Sequence, residues 1–270
     1  MGKNSKAQEA EIRRQYMEAR RREEEEKQKR QNRLLWQILV AVTVAVVVIT
    51  AACLVLPILL RPEPAVTMDE LDFSAIRLEN YTETKDVSDY VRLNVSYTDA
   101  NGDKQTGDIV IRLFDEVAPK TVENFQTLVS QGFYDGLTFH RVVPGFMIQG
   151  GDPQGNGKGN SGKTLKGEFT QNGFENNLSH IRGVVSMARG GHSYDSASCQ
   201  FFIVHKDSAA GSLDNLYASF GYVVYGMETV DAITGIALEY ASDSIDSSPS
   251  SPVYPVVINS ATFMAPKTAG

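Results

Sequence analysis

The chain has 270 residues, 42% hydrophobic and 9% aromatic, which excludes a disordered polymer and leaves room for a folded domain with appendages. Its net charge of −7 is unevenly spread: residues 1–33 hold 11 Lys/Arg against 7 Asp/Glu, and the remainder carries 15 against 26. A basic end beside an acidic body fits a membrane surface and argues against nucleic acid as a partner.

From the N-terminus, residues 5–33 lack Gly and Pro and favour a charged helix, and residues 1–33 read as a cytoplasmic segment. Leu34 to Leu60 contains no charged residue, and as a helix these 27 residues rise about 40 Å, enough to span a bilayer core. Trp36 lies near one end and Arg61 closes the other, as interfacial residues do. The Lys/Arg excess before this run keeps the N-terminus cytoplasmic and sends the C-terminal body across the membrane. Two other readings concern the same stretch. A cleaved signal peptide is disfavoured by the long charged lead, and lipoprotein processing at Cys53 by the apolar run continuing through Leu60. Residues 61–85, with Pro62 and Pro64, read as a linker.

The body, 86–264, opens with two alternating runs, Tyr90–Tyr97 and Gly107–Phe114, joined by turn residues at Asp99–Asp103. Pro119 starts a helix through Val129, with Val122, Phe125 and Val129 on one face. Short strand candidates follow at 138–143, 147–149, 184–187, 201–204 and 219–224, separated by glycine-rich loops. A second helix is expected at 227–235 and a last strand at 256–263, after a Ser/Pro-rich loop at 242–252; residues 265–270 form a tail. Many short strands with two helices predict a mainly β fold, a closed antiparallel eight-stranded barrel capped by two helices and preceded by one transmembrane helix.

Among the residues that could carry chemistry, the four histidines lack metal-ligand spacing, so no metal or other cofactor is expected. Gly155–Gly162 does not match a phosphate-binding loop, and Cys199 reads as a buried small hydrophobe. The run from Phe139 to Pro153 (FHRVVPGFMIQGGDP) resembles the signature of the cyclophilin family of prolyl isomerases. Gly183–Ala188, Ser198–Ile203 and Leu213–Gly221 resemble its later blocks in the same order, so the resemblance covers about residues 88–264. The nearest character is that of a membrane-anchored, bacterial-like member.

The resemblance implies peptidyl-prolyl cis-trans isomerisation, with proline-containing polypeptides as substrates. An X-Pro bond rotates over a barrier of roughly 20 kcal/mol because amide resonance must be broken. The twisted amide nitrogen regains a lone pair, to which a guanidinium can donate at any working pH. Arg141 matches the family's catalytic arginine. Gln149 matches a residue that bonds the substrate carbonyl and orients that arginine. Phe146, Met147, Phe202 and Leu213 match the proline pocket, while Ala188, Arg189 and Gln200 match positions that border the groove and hold the peptide backbone. Tyr217 stands where some members carry histidine, and Ser212 where many carry the tryptophan that helps bind cyclosporin. The expected role is folding of exported or surface proteins by a monomeric soluble domain outside the cytoplasm. A non-catalytic proline-peptide binding module, a holdase, or a scaffold subunit of an envelope complex is the alternative.

Overall fold

The computed structural model describes residues 77–207, 210–241 and 246–267, and helical positions scattered between Arg20 and Thr43. The chain divides into two units, Met1–Glu63 and Pro64–Gly270. The expected span at 34–60 lies mostly outside the described residues. Those described within it, Trp36, Gln37, Leu39, Val40 and Thr43, are helical, and the Thr43 hydroxyl donates to the Leu39 carbonyl at 2.8 Å. Among the described residues no helix is long and apolar enough to cross a membrane.

In the second unit the strands are β1 Tyr81–Thr84, β2 Tyr90–Thr98, β3 Lys104–Leu113, β4 Thr138–Val143, β5 Met147–Asp152 and β6 Val184–Met187. There follow β7 Phe201–Val204, β8 Ser219–Tyr225, β9 Leu238–Glu239, β10 Ser251–Pro252 and β11 Val257–Pro266. The helices are α1 Pro119–Ser130, α2 Ala210–Leu213 and α3 Met227–Thr234. The main sheet runs β11-β2-β3-β8-β6-β7-β5-β4, and β4 returns to β11 through Val257 opposite Thr138. All these pairings are antiparallel, so the eight strands close on themselves and leave few free edges.

The alternation read in the sequence decides what faces inward. On β2, Val91, Leu93 and Val95 are fully buried, and on β3 so are Ile109 and Ile111. Helix α1 adds Val122 and Phe125, and α3 adds Val230 and Ile233, to the same core. The Phe125 ring lies 5.1 Å from Tyr134, 5.5 Å from Phe201 and 5.1 Å from Phe220, an aromatic cluster inside the barrel.

Strand β7 is buried at every position because both its faces are covered. Phe201 and Ile203 enter the barrel core, while Phe202 and Val204 join a second apolar cluster with Met147 and Leu213. That outer cluster is the floor of the site.

Besides the short third helix α2, two features differ from the sequence expectation. Tyr81–Thr84, inside the stretch read as linker, forms β1 and pairs with β11 from Tyr81 opposite Pro266 to Thr84 opposite Phe263. β2 holds one edge of β11, so β1 continues along the other edge where β4 leaves it. The segment Tyr-Thr-Glu-Thr has no apolar face, and only its partner strand makes it extended. The second feature is a small ladder between β9, just before the Ser/Pro-rich stretch expected to be loop, and β10, at its end.

Candidate active site

Strands β4 and β5 pair with Phe139 opposite Gly150 and Arg141 opposite Gln149, which leaves His140 as an extra residue on β4. Such a bulge re-aims the side chains beyond it. Phe139 and Val142 both lie in the barrel core, whereas Arg141 between them lines an external cleft of about 920 Å³. Register and bulge together put Arg141 and Gln149 on one face, where Arg141 Nη1 donates to Gln149 Oε1 at 3.1 Å. Gln149 Nε2 donates to Gln200 Oε1 at 2.9 Å, and Gln200 Nε2 to the Gly159 carbonyl at 2.8 Å. The chain of donors fixes both amides, so the arginine meets a carbonyl oxygen.

Phe146, Met147, Phe202, Leu213 and Ala188 line the apolar part of the same cleft. Phe202 is held from two sides, by Tyr217 edge-on at 5.8 Å and by the His180 ring stacked at 5.9 Å. His180 is in turn fixed by Asp214 at 2.8 Å and the Ser186 hydroxyl at 3.0 Å. Burial works to raise the Asp214 carboxyl, but hydrogen bonds from His180 and Ser179 prevail and hold it below its ordinary value.

Arg189 lines the cleft, yet its Nε donates to the Leu216 carbonyl at 2.9 Å and its Nη1 to the Gly190 carbonyl at 3.2 Å. Its guanidinium also lies 4.7 Å over Tyr217 and 4.9 Å over Tyr194, so it braces the rim. Gln200 is the one expected site residue outside the cleft lining; it acts on the cleft through Gln149.

Several lining residues escaped the sequence reading. Asp246 meets Arg141 in a two-pronged ion pair, Nε to Oδ2 at 2.8 Å and Nη2 to Oδ1 at 2.5 Å. Glu239, Tyr240, Ser250 and Ser251 come from the β9–β10 region, and Gly155 to Lys158 from the glycine-rich loop. An acidic residue among serines and prolines carries no spacing signal, so nothing in the pattern pointed to Asp246. His140 also borders the cleft, and burial holds its imidazole below the ordinary value; Asp152 opposes that fall and Arg141 adds to it.

A fixed cation beside an apolar floor can receive a proline ring and donate to the adjoining amide. Among the described residues no cluster of His, Cys, Asp and Glu could hold a metal ion. Burial pushes the Cys199 thiol up to about 11, so it is no nucleophile at neutral pH.

The chain is 46% identical over 120 residues to peptidyl-prolyl cis-trans isomerase B of Bacillus subtilis, covering 44% of this chain and 78% of that one. It is 40% identical over 161 residues to isomerase A of Dickeya dadantii, covering 58% and 80%. A crystal structure of a Cryptosporidium parvum cyclophilin-type isomerase, determined in the presence of the dipeptide Ala-Pro, aligns with a TM-score of 0.49 at 28% identity, over 63% of this chain and 97% of that one. The family model for cyclophilin-type peptidyl-prolyl cis-trans isomerases matches residues 97–263. With that match over more than half its length, the chain belongs to the cyclophilin-type peptidyl-prolyl cis-trans isomerases.

Proposed function

We propose that the isomerase acts outside the cytoplasm on X-Pro bonds of exported or surface proteins as they fold, with Arg141 as its catalytic residue. One observation carries the mechanism: Arg141 and Gln149 sit opposite each other in register at the edge of an apolar cleft. The proline ring rests on Phe146, Met147, Phe202 and Leu213, the Gln149 amide takes the substrate carbonyl, and Arg141 donates to the prolyl nitrogen as the amide twists. The planar forms offer that nitrogen no lone pair, so the bond strengthens only at the transition state and lowers the barrier. Ala188, Arg189 and Tyr217 border the groove and guide the peptide, and Gln200 acts through Gln149.

Location rests on the sequence. The uncharged run at 34–60 anchors the chain in the bilayer, the basic segment 1–33 stays cytoplasmic, and the body at 86–264 works as a monomer on the far side. Exposed Trp36, Leu39 and Val40 on helical positions favour apolar surroundings for that segment.

The test is proline-limited refolding of a client catalysed by the full chain. Replacing Arg141 by alanine is expected to lower the catalysed rate about hundredfold, the scale of losing one transition-state donor. Equal rates for the two proteins would remove Arg141 from the mechanism and favour a groove that captures proline segments without turnover.

A further inference from the structure

We infer that Asp246 is a positioning residue for the isomerisation, holding the Arg141 guanidinium in the orientation from which it donates; the inference rests on the role proposed for Arg141. A guanidinium carries five N–H groups in a fixed plane. Asp246 takes one on Nε and one on Nη2, and Gln149 takes one on Nη1. One N–H therefore remains on each terminal nitrogen, and these serve the substrate.

Two facts mark the pair as built into the cleft wall. First, the Asp246 side chain is only 10% exposed and the Arg141 side chain 26%. A carboxylate so far from water is costly unless paired, so the two charges hold each other in one geometry. Second, the segment after Asp246 is tied to the strand that bears the arginine. The Val142 N–H, next to Arg141, donates to the Ser250 carbonyl at 2.7 Å, and the Ser250 N–H donates to the Glu239 carbonyl at 3.1 Å. Strand β10 pairs with β9 immediately afterwards, and the Val253 N–H donates to the Ala237 carbonyl at 3.0 Å. Four residues from that anchor, the carboxylate has a defined place relative to β4.

Without Asp246 the long arginine side chain keeps a single neutral contact, at Gln149, and its outer edge is free to rotate. A donor that must be reoriented in each turnover stabilises the twisted amide less than one already in place.

The experiment uses the full chain and a proline-containing peptide whose cis and trans signals are resolved by NMR, so that turnover and peptide affinity are measured separately. Asp246→Ala is expected to lower kcat about tenfold while the peptide Kd stays within about twofold. Asp246→Glu, which keeps the charge on a longer arm, is expected to recover part of the loss. The double variant Asp246→Ala/Arg141→Ala is expected to be no slower than Arg141→Ala alone, because positioning matters only when the arginine is present. Asp246→Asn preserves volume and serves if the alanine variant does not fold. An unchanged or raised kcat in Asp246→Ala overturns the inference, a rise meaning that the carboxylate obstructs the prolyl site. Full activity in Arg141→Ala would sink the donor role itself; loss there with none in Asp246→Ala would sink only the positioning role.

Discussion

Cys199 is fully buried, and the barrel interior pushes its thiol up to about 11. At pH 8 that leaves about one thiol in a thousand ionised. In a Cys53→Ser variant of the chain, iodoacetamide at pH 8 is therefore expected to leave Cys199 unmodified until denaturant is added; rapid labelling of the native protein would contradict that burial. At this scale some site residues were legible in the sequence and others were not, for a physical reason. Arg141, Gln149, Met147 and Phe202 stand at fixed offsets along strands, so their grouping in one cleft follows from register. Asp246 reaches the same cleft from a loop, where no periodicity ties a position to a face. His180 and Asp214 lie behind Phe202, and their support of its ring depends on segments remote in sequence.

Among the elements, the loop after β5 is ordered by one carboxylate. Asp152 accepts N–H groups from Gln154 at 2.8 Å, Asn156 at 3.0 Å and Gly157 at 2.6 Å. Gly155 and Gly157 have φ of 65° and 80°, and a Cβ at Gly159 would meet Asp152 Oδ1 at 1.8 Å, so the glycines are what let the chain wrap so closely. Burial works to raise the Asp152 carboxyl, but the backbone N–H groups prevail and lower it. A carboxyl depressed in the folded state stabilises the fold above its unfolded value, roughly pH 3.9, and ceases to do so as pH falls through the folded value. Asp152→Asn turns an amide NH2 toward those donors, and is expected to lose about 2 kcal/mol near pH 7 in denaturant titration. The gap to wild type should close as pH falls through the depressed folded value; a gap independent of pH would refute the carboxylate's role. The glycine content marked this stretch as a loop, yet its place beside the cleft depends on Asp152. Strands β2 to β8 and the helices α1 and α3 were legible from their apolar periods or, at β6 and β7, from short continuous apolar runs. Strands β1, β9 and β10 have two to four residues and no such period; partner strands define them.

For the whole molecule, many short strands and two helices pointed to a closed antiparallel barrel, and the sheet does close; the order in which distant strands meet was not legible, since no local pattern encodes it. The proposed topology has its own test. With epitopes at both ends and a protease that cannot cross membranes, the C-terminal tag on intact cells is expected to be digested and the N-terminal tag protected. The opposite pattern would reverse the orientation, and early loss of the N-terminal tag during synthesis would point to processing at Cys53 instead.

The meeting of first and last strands also governs synthesis. β11, made after the other strands of this sheet, lies between β2 on one edge and β4 and β1 on the other. A ribosome releases β2 long before its partner exists, so the growing chain keeps half a sheet waiting, with Val91, Leu93 and Val95 on a surface still to be covered. Pairings so far apart in sequence form slowly. An isomerase of X-Pro bonds is thus itself a protein whose barrel cannot begin to close until β11 has emerged.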